Sequence, residues 1–287
     1  MMDSVFSKLA SLVTAYHLQT SLGPDITPDM GPLKFDELLF ETAADYGYDL
    51  TSRTSLVRDN NIPIGWCSFD SFAHNIDSAD KYKNFRVRDV MDPIRPDSLL
   101  AAGTSYFSAV EVFNKHNAPY FYFVLNDNEI TGTLYYDDLF KLPASLCIFS
   151  LTLEIEQLAL DLCKLRPKES WGCLSTTRKT KIQNDYKRRH PDSNLEKLPY
   201  ADLLNATMFC DKGTILSKSN LLSKETSLLV KRIFGKADNI RNACAHTGSD
   251  SRLPTLLERN RLHEFFKDCH MLINIIHKAL EKKAKAN

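Results

Sequence analysis

Excess charge of either sign is missing from this chain, whose 36 Lys and Arg residues balance 36 Asp and Glu residues. Such balance removes any overall steering towards a polyanion and excludes a histone-like binder, so affinity for nucleic acid has to come from a local patch. Long apolar runs are missing too, and none approaches the length of a membrane span. The N-terminal stretch MMDSVFSKLASLVTAYHLQT has an acid at Asp3 and no basic n-region of a secretory signal. The seven cysteines include no CxxC pair, and an odd, scattered set is the usage of a reducing compartment. Neither they nor the eight histidines show metal-ligand spacing. The expectation is a cytoplasmic, soluble chain with free, mostly core thiols, no metal site and no membrane partner.

What is present is enough apolar residue for two cores: 43% of 287 residues are hydrophobic, the size and composition of two ordinary domains. The first half repeats itself at an offset of 67 residues, with VRDNNIPIGWCSFDSF from Val57 falling on VLNDNEITGTLYYDDL from Val124 without a gap. Val57 meets Val124, Asn61 meets Asn128, Gly65 meets Gly132 and Asp70 meets Asp137. Each copy reads as a helix, two strands around a short turn, and the start of another helix. The helices are expected over Phe35 to Tyr46 and Ser98 to Asn114, the second with Asp97 as N-cap. The strand pairs are expected over Thr54 to Arg58 with Ile62 to Ser68, and over Tyr120 to Leu125 with Glu129 to Tyr135. Asp59-Asn60-Asn61 and Asn126-Asp127-Asn128 suit the turns, since Asn and Asp tolerate left-handed backbone. This half is therefore α+β.

The run VRDVMDPIRPDSLLAA followed by YFYFVLNDNEITGTLYYDDLFKLP resembles the CBS domain, and two copies would make the pair called a Bateman module. The resemblance implies an adenine nucleotide or S-adenosylmethionine as regulatory ligand, its ribose held by the Asp of a pattern that runs from a glycine through Ser or Thr. The first copy keeps Gly65 and Ser68 but has Ser71 at the Asp position. The second keeps Gly132 and Asp138 but has Tyr135 at the Ser/Thr position. Ser68, Gly132 and Asp138 are the ligand-binding candidates, and an acid that simply starts a helix is the alternative for Asp138.

After Pro143 the spacing turns helical. LCIFSLTLEIEQLALDLCKL is apolar almost throughout and suits a helix buried on several sides. Between Arg166 and Asp192 stand eight basic residues against three acids, with Trp171 and Tyr186 among them. Arg178, Lys179, Lys181, Lys187, Arg188 and Arg189 are the candidates for RNA contact, with the two aromatic rings as stacking platforms; a solvated helix face is the alternative. A short helix is expected over Leu198 to Phe209 and a long one from an N-cap at Ser223 to Gly248. The last runs over Thr255 to Lys283, where Leu262, Phe265, Phe266, Cys269, Leu272, Ile273, Ile276 and Leu280 form an apolar stripe. Four to five antiparallel helices would make this half a bundle.

Near the end of the second-last helix stands KADNIRNACAHTG, and its Arg241-Asn242-x-x-x-His246 resembles the signature of the HEPN superfamily. That resemblance implies a metal-independent ribonuclease with Arg241, Asn242 and His246 in a cleft shared by two subunits. The chemistry suits the residue types: imidazole titrates near neutrality and can move the proton of a 2′-hydroxyl, and a guanidinium fork can hold two phosphate oxygens. Five residues along a helix turn through about 140° beyond a full circle, so Arg241 and His246 would not share a face within one chain. Either the helix loosens near Gly248 or two copies meet at a two-fold axis, and the resemblance implies the second.

The sequence thus leads to an α+β CBS pair over 1–143 followed by an all-α HEPN-like helical bundle over 144–287. The function it implies is a homodimeric endoribonuclease in a toxin, phage-defence or RNA-processing role. Its products would be a 2′,3′-cyclic phosphate and a 5′-hydroxyl, with no cofactor required and no DNA partner expected. A non-catalytic nucleotide-sensing or RNA-binding adaptor that uses the bundle to dimerise is the alternative.

Overall fold

The computed structural model describes residues 5–21, 33–34, 55–59, 62–67, 86–115, 121–245 and 261–284. In chain order these form α1 (Val5–Leu12), α2 (Ala15–Leu18), β1 (Thr20–Ser21), β2 (Leu33–Lys34), β3 (Ser55–Asp59), β4 (Ile62–Cys67), α3 (Val87–Val90), β5 (Asp92–Pro93) and β6 (Leu99–Ala101). There follow α4 (Tyr106–Phe113), β7 (Phe121–Asn126), β8 (Glu129–Tyr135), α5 (Leu142–Lys164), α6 (Pro167–Gly172), α7 (Thr176–Arg189), α8 (Tyr200–Asn205), α9 (Phe209–Lys218), α10 (Lys224–Ala245) and α11 (Arg261–Ala284). Contacts divide the chain into an α+β unit, Thr14–Thr104 with Asn117–Asp138, and a helical unit, Met1–Val13 with Ser105–His116 and Leu139–Asn287.

The α+β unit holds two four-stranded sheets, ordered β2-β3-β4-β5 and β1-β8-β7-β6. They are built alike, and the 67-residue repeat carries through to single residues. β2 runs parallel to β3 with Leu33 opposite Val57, and β6 runs parallel to β7 with Leu100 opposite Val124. Both hairpins shift register at the same place, after Val57 and after Val124. Both sheets end in a two-residue antiparallel strand from the segment ahead of the other copy. Pro93 meets Gly65 in one sheet, and Ser21 meets Gly132 in the other. Gly65 has a clear reason: a Cβ there would stand 2.7 Å from the Met91 sulfur and 2.8 Å from the Asp92 carbonyl oxygen. The β7–β8 turn puts Asp127 and Asn128 at φ 48° and 68°, the left-handed backbone their side chains tolerate.

The copies share one core. Leu56 of the first packs with Phe121 and Phe123 of the second, and the Trp66 and Phe121 rings meet edge to face at 4.9 Å. One sequence expectation fails here. Ser98 to Asn114 is not a single helix capped by Asp97: Leu99–Ala101 pair with β7 as a strand, and the helix starts at Tyr106. Ser105 is its N-cap, with the hydroxyl accepting from the Ser108 amide. A parallel partner for the Leu99-Leu100 backbone outweighs their helix propensity. The expected helix over Phe35 to Tyr46 lies outside the described residues.

In the helical unit α5 is the central element, in contact with α1, α6, α8, α9, α10 and α11. Its buried positions run from Ala144 to Cys163 around much of its circumference, as its apolar sequence predicts. Ser223 caps α10, accepting from the Thr226 amide, and the apolar stripe of α11 is buried from Leu262 to Ile276. Tyr106 and Phe107 of α4 pack against Phe266 of α11, and the buried Tyr106 hydroxyl donates to the Leu139 carbonyl. The expected short helix over Leu198 to Phe209 is instead α8 alone, and Phe209 begins a further helix that the spacing does not reveal. Gly213 interrupts the pattern in α9, yet it lets that helix press on α10: a Cβ at 213 would fall 2.6 Å from the Phe234 ring.

Candidate functional site

Arg241 and Asn242 stand near the C-terminal end of α10, whose last residue is Ala245. His246 follows directly and lies outside the described residues, as does Gly248. The motif thus begins inside a regular helix of 22 residues and reaches its histidine at the first position beyond the described end.

The second repeat offers the ligand candidates. Gly132 lies in the middle of β8, opposite Val124 on one side and Ser21 on the other. Three residues after β8 ends, Asp138 is 7% exposed and its carboxylate accepts a 2.7 Å hydrogen bond from the Tyr135 amide. Asp138 therefore caps the short 3-10 turn Tyr136–Phe140, which serves the capping role described for an acid at a helix start. Only Lys141 separates that turn from α5, and the Ser145 hydroxyl donates back to the Phe140 carbonyl. Ser68, the partner candidate in the first copy, lies outside the described residues.

The six basic candidates all lie on α7 but differ in their bonding. Arg178 is engaged: its Nε and Nη2 donate to the two carboxylate oxygens of Asp211 at 2.6 and 2.8 Å. The hydrogen bonds it donates to Asp211, and the charge of that carboxylate, raise the Arg178 pKa above its ordinary value, against the opposing effect of burial. Lys181, Lys187, Arg188 and Arg189 are exposed and Lys179 is half-buried. Trp171 is not a stacking platform. It is buried in α6, because an indole among charges finds its best surroundings in the core rather than in water. Tyr186 is half-buried, with its ring 4.6 Å from that of His190.

Asp211 opens onto a buried ionic cluster that the sequence reading passed over. Its Oδ2 also accepts from the Met208 amide, capping α9. The next residue, Lys212, is 3% exposed and donates to Glu156 of α5 at 3.0 Å and to the Thr207 carbonyl at 2.7 Å. Two ion pairs thus tie α7 and α5 to the start of α9. The signal in the sequence was charge at core-facing positions: Glu156 inside the most apolar run, and Asp211-Lys212 between Phe209 and Ile215. Elsewhere burial acts on single groups. It pushes the Cys147 thiol up to about 11 and that of Cys163 up to about 12, and raises that of Cys269 well above its ordinary value. It lowers the His270 pKa, an effect that Glu154 opposes. Among the described residues no group of three or more His, Cys, Asp or Glu is placed to hold a metal ion, and no helix is long and apolar enough to cross a membrane.

No family model and no curated protein matches the sequence. Solved structures do: a CBS domain-containing protein of unknown function from Bacillus anthracis str. Ames Ancestor is 17% identical, with a TM-score of 0.35 over 47% of this chain and 95% of its own. A second solved CBS domain is also 17% identical, with a TM-score of 0.35 over 45% of this chain and 95% of its own. Each likeness joins about half of this chain to almost all of a shorter one. The tandem α+β architecture stands on its own strand order and register, independently of those likenesses.

Proposed function

We propose that the chain is a ligand-regulated, metal-independent endoribonuclease, with a CBS-type pair as the regulatory unit and a HEPN-type helical unit as the catalytic one. The observation that carries this reading is the Arg241-Asn242 pair near the C-terminal end of α10, in a unit whose central helix follows the Asp138 turn of the second repeat after a single residue. The pair of sheets with matching registers supports a sensor built from two equivalent halves. Two such copies bring their own approximate two-fold symmetry, the relation a nucleotide cleft between repeats would use.

The reaction follows from the residue types. His246 takes the proton of the 2′-hydroxyl as its oxygen attacks the adjacent phosphorus. The bond to the 5′-oxygen breaks, and that oxygen leaves with a proton delivered by a histidine of the composite site. Arg241 holds the non-bridging oxygens as charge gathers on them, and Asn242 orients the histidine or the phosphate. A 2′,3′-cyclic phosphate and a 5′-hydroxyl remain. An adenine nucleotide or S-adenosylmethionine would meet Gly132 and Asp138 in the second repeat. Its ribose would share the Asp138 carboxylate with the Tyr135 amide.

The test is RNA incubated in EDTA with wild type, His246→Ala and Arg241→Ala, each with and without AMP, ATP and S-adenosylmethionine. Wild type should yield cyclic-phosphate ends, and each variant should lose about a hundredfold or more in rate. Asp138→Asn should cut RNA but lose the nucleotide's effect. RNA left intact by wild type under every condition would favour the non-catalytic adaptor, and equal cutting by the variants would remove the motif from the chemistry.

A further inference from the structure

We propose that the outward face of α7 is a docking surface for the phosphate backbone of RNA, separate from the cleavage motif. Thr177, Thr180, Lys181, Asn184, Lys187 and Arg188 stand at positions i, i+3, i+4, i+7, i+10 and i+11, and all six are exposed. They form one continuous helical stripe. With Arg178 committed to Asp211, α7 still carries Lys179, Lys181, Lys187, Arg188 and Arg189 against the single acid Asp185. In a chain with no net charge that is a local cationic surface.

The bonds that touch these cations are weak ones. Arg188 meets Asp185 at 3.5 Å with its side chain 81% exposed, and Lys187 donates to the Ser193 carbonyl at 3.3 Å. Exposed pairs of this kind are worth little and exchange readily for phosphate.

The composition of the face selects the occupant. The apolar residue Ile182 is buried, so the stripe presents hydroxyl, amide and cationic groups only. A membrane helix needs an apolar side to insert, and a protein interface needs apolar anchors at its centre. A phosphate backbone needs cations and hydrogen-bond donors, which is what this face of α7 offers. The proposal rests on the reading of the chain as one that acts on RNA, and it assigns where the strand is held rather than where it is cut.

Fluorescence anisotropy of labelled oligo(U) with full-length His246→Ala keeps the strand whole while binding is read. The variant Lys181→Glu/Lys187→Glu/Arg188→Glu, added to that background, should bind at least about tenfold more weakly, with the slope of log affinity against log salt flattened by about 2. Gln at the same three positions should give a smaller loss in the same direction, which keeps the test informative if charge reversal unfolds the chain. Unchanged affinity in both triple variants overturns the proposal, as does a preference for anionic vesicles or polyglutamate over oligo(U). Binding that depends on α7 without any cleavage by wild type would sink the ribonuclease reading alone. Cleavage with affinity indifferent to α7 would sink the docking face alone.

Discussion

Arg178 and Lys181 are three residues apart in one basic helix, and as letters they are interchangeable. Burial separates them. The Arg178 guanidinium reaches inward to a carboxylate on α9 that is only 5% exposed, whereas Lys181 points to solvent. Removing one partner of such a pair leaves a charge stranded in a low-dielectric site, so Arg178→Ala should cost about 3 kcal/mol in urea unfolding. Lys181→Ala should shift stability by no more than about 0.5 kcal/mol. Arg178→Lys should recover only part of the loss, because an ammonium cannot reproduce two parallel bonds to one carboxylate. A midpoint for Arg178→Ala equal to that of wild type would mean the pair contributes nothing to the fold. Asp138 carries the same lesson: a residue singled out for a ribose also holds a backbone amide, and both uses call for the same carboxylate.

Elements defined by a strong period or a strong turn were legible in the sequence. The β7–β8 hairpin needed only Asn-Asp-Asn between two apolar runs, and α5 and α11 needed only their apolar spacing. The elements misread are those whose partner is distant. Leu99–Ala101 became a strand because β7 lies alongside, and α9 forms across a glycine because Phe234 packs where a side chain would have been. The cap moved accordingly from Asp97 to Ser105. Ser105→Ala should therefore lower stability by about 1 kcal/mol, and Asp97→Ala should have little effect. Thermal or urea unfolding of the two variants side by side decides between the caps, and the reverse ranking would restore the longer helix.

The helical unit is not one continuous stretch of chain. It also takes in α1 and α4, with α1 against α5 and with Tyr106 and Phe107 against Phe266. A fragment of residues 144–287 would lack both helices and uncover part of the α5 and α11 surfaces. It should unfold at lower urea than the same helices in the full chain, with reduced cooperativity and increased binding of a hydrophobic dye. A fragment as stable as the intact chain would show that α1 and α4 are dispensable to that core. Repeat, strand alternation and helix spacing are local in the chain, which is why composition and periodicity sufficed for an α+β half, a helical half and a duplicated hairpin. Strand order, the edge strands Thr20–Ser21 and Asp92–Pro93, the buried Glu156–Lys212 and Arg178–Asp211 pairs, and the sharing of α1 and α4 depend on partners brought together from far along the chain. A linear pattern records what a residue prefers, while the energy of burying a charge or pairing an edge is set by the neighbour it meets.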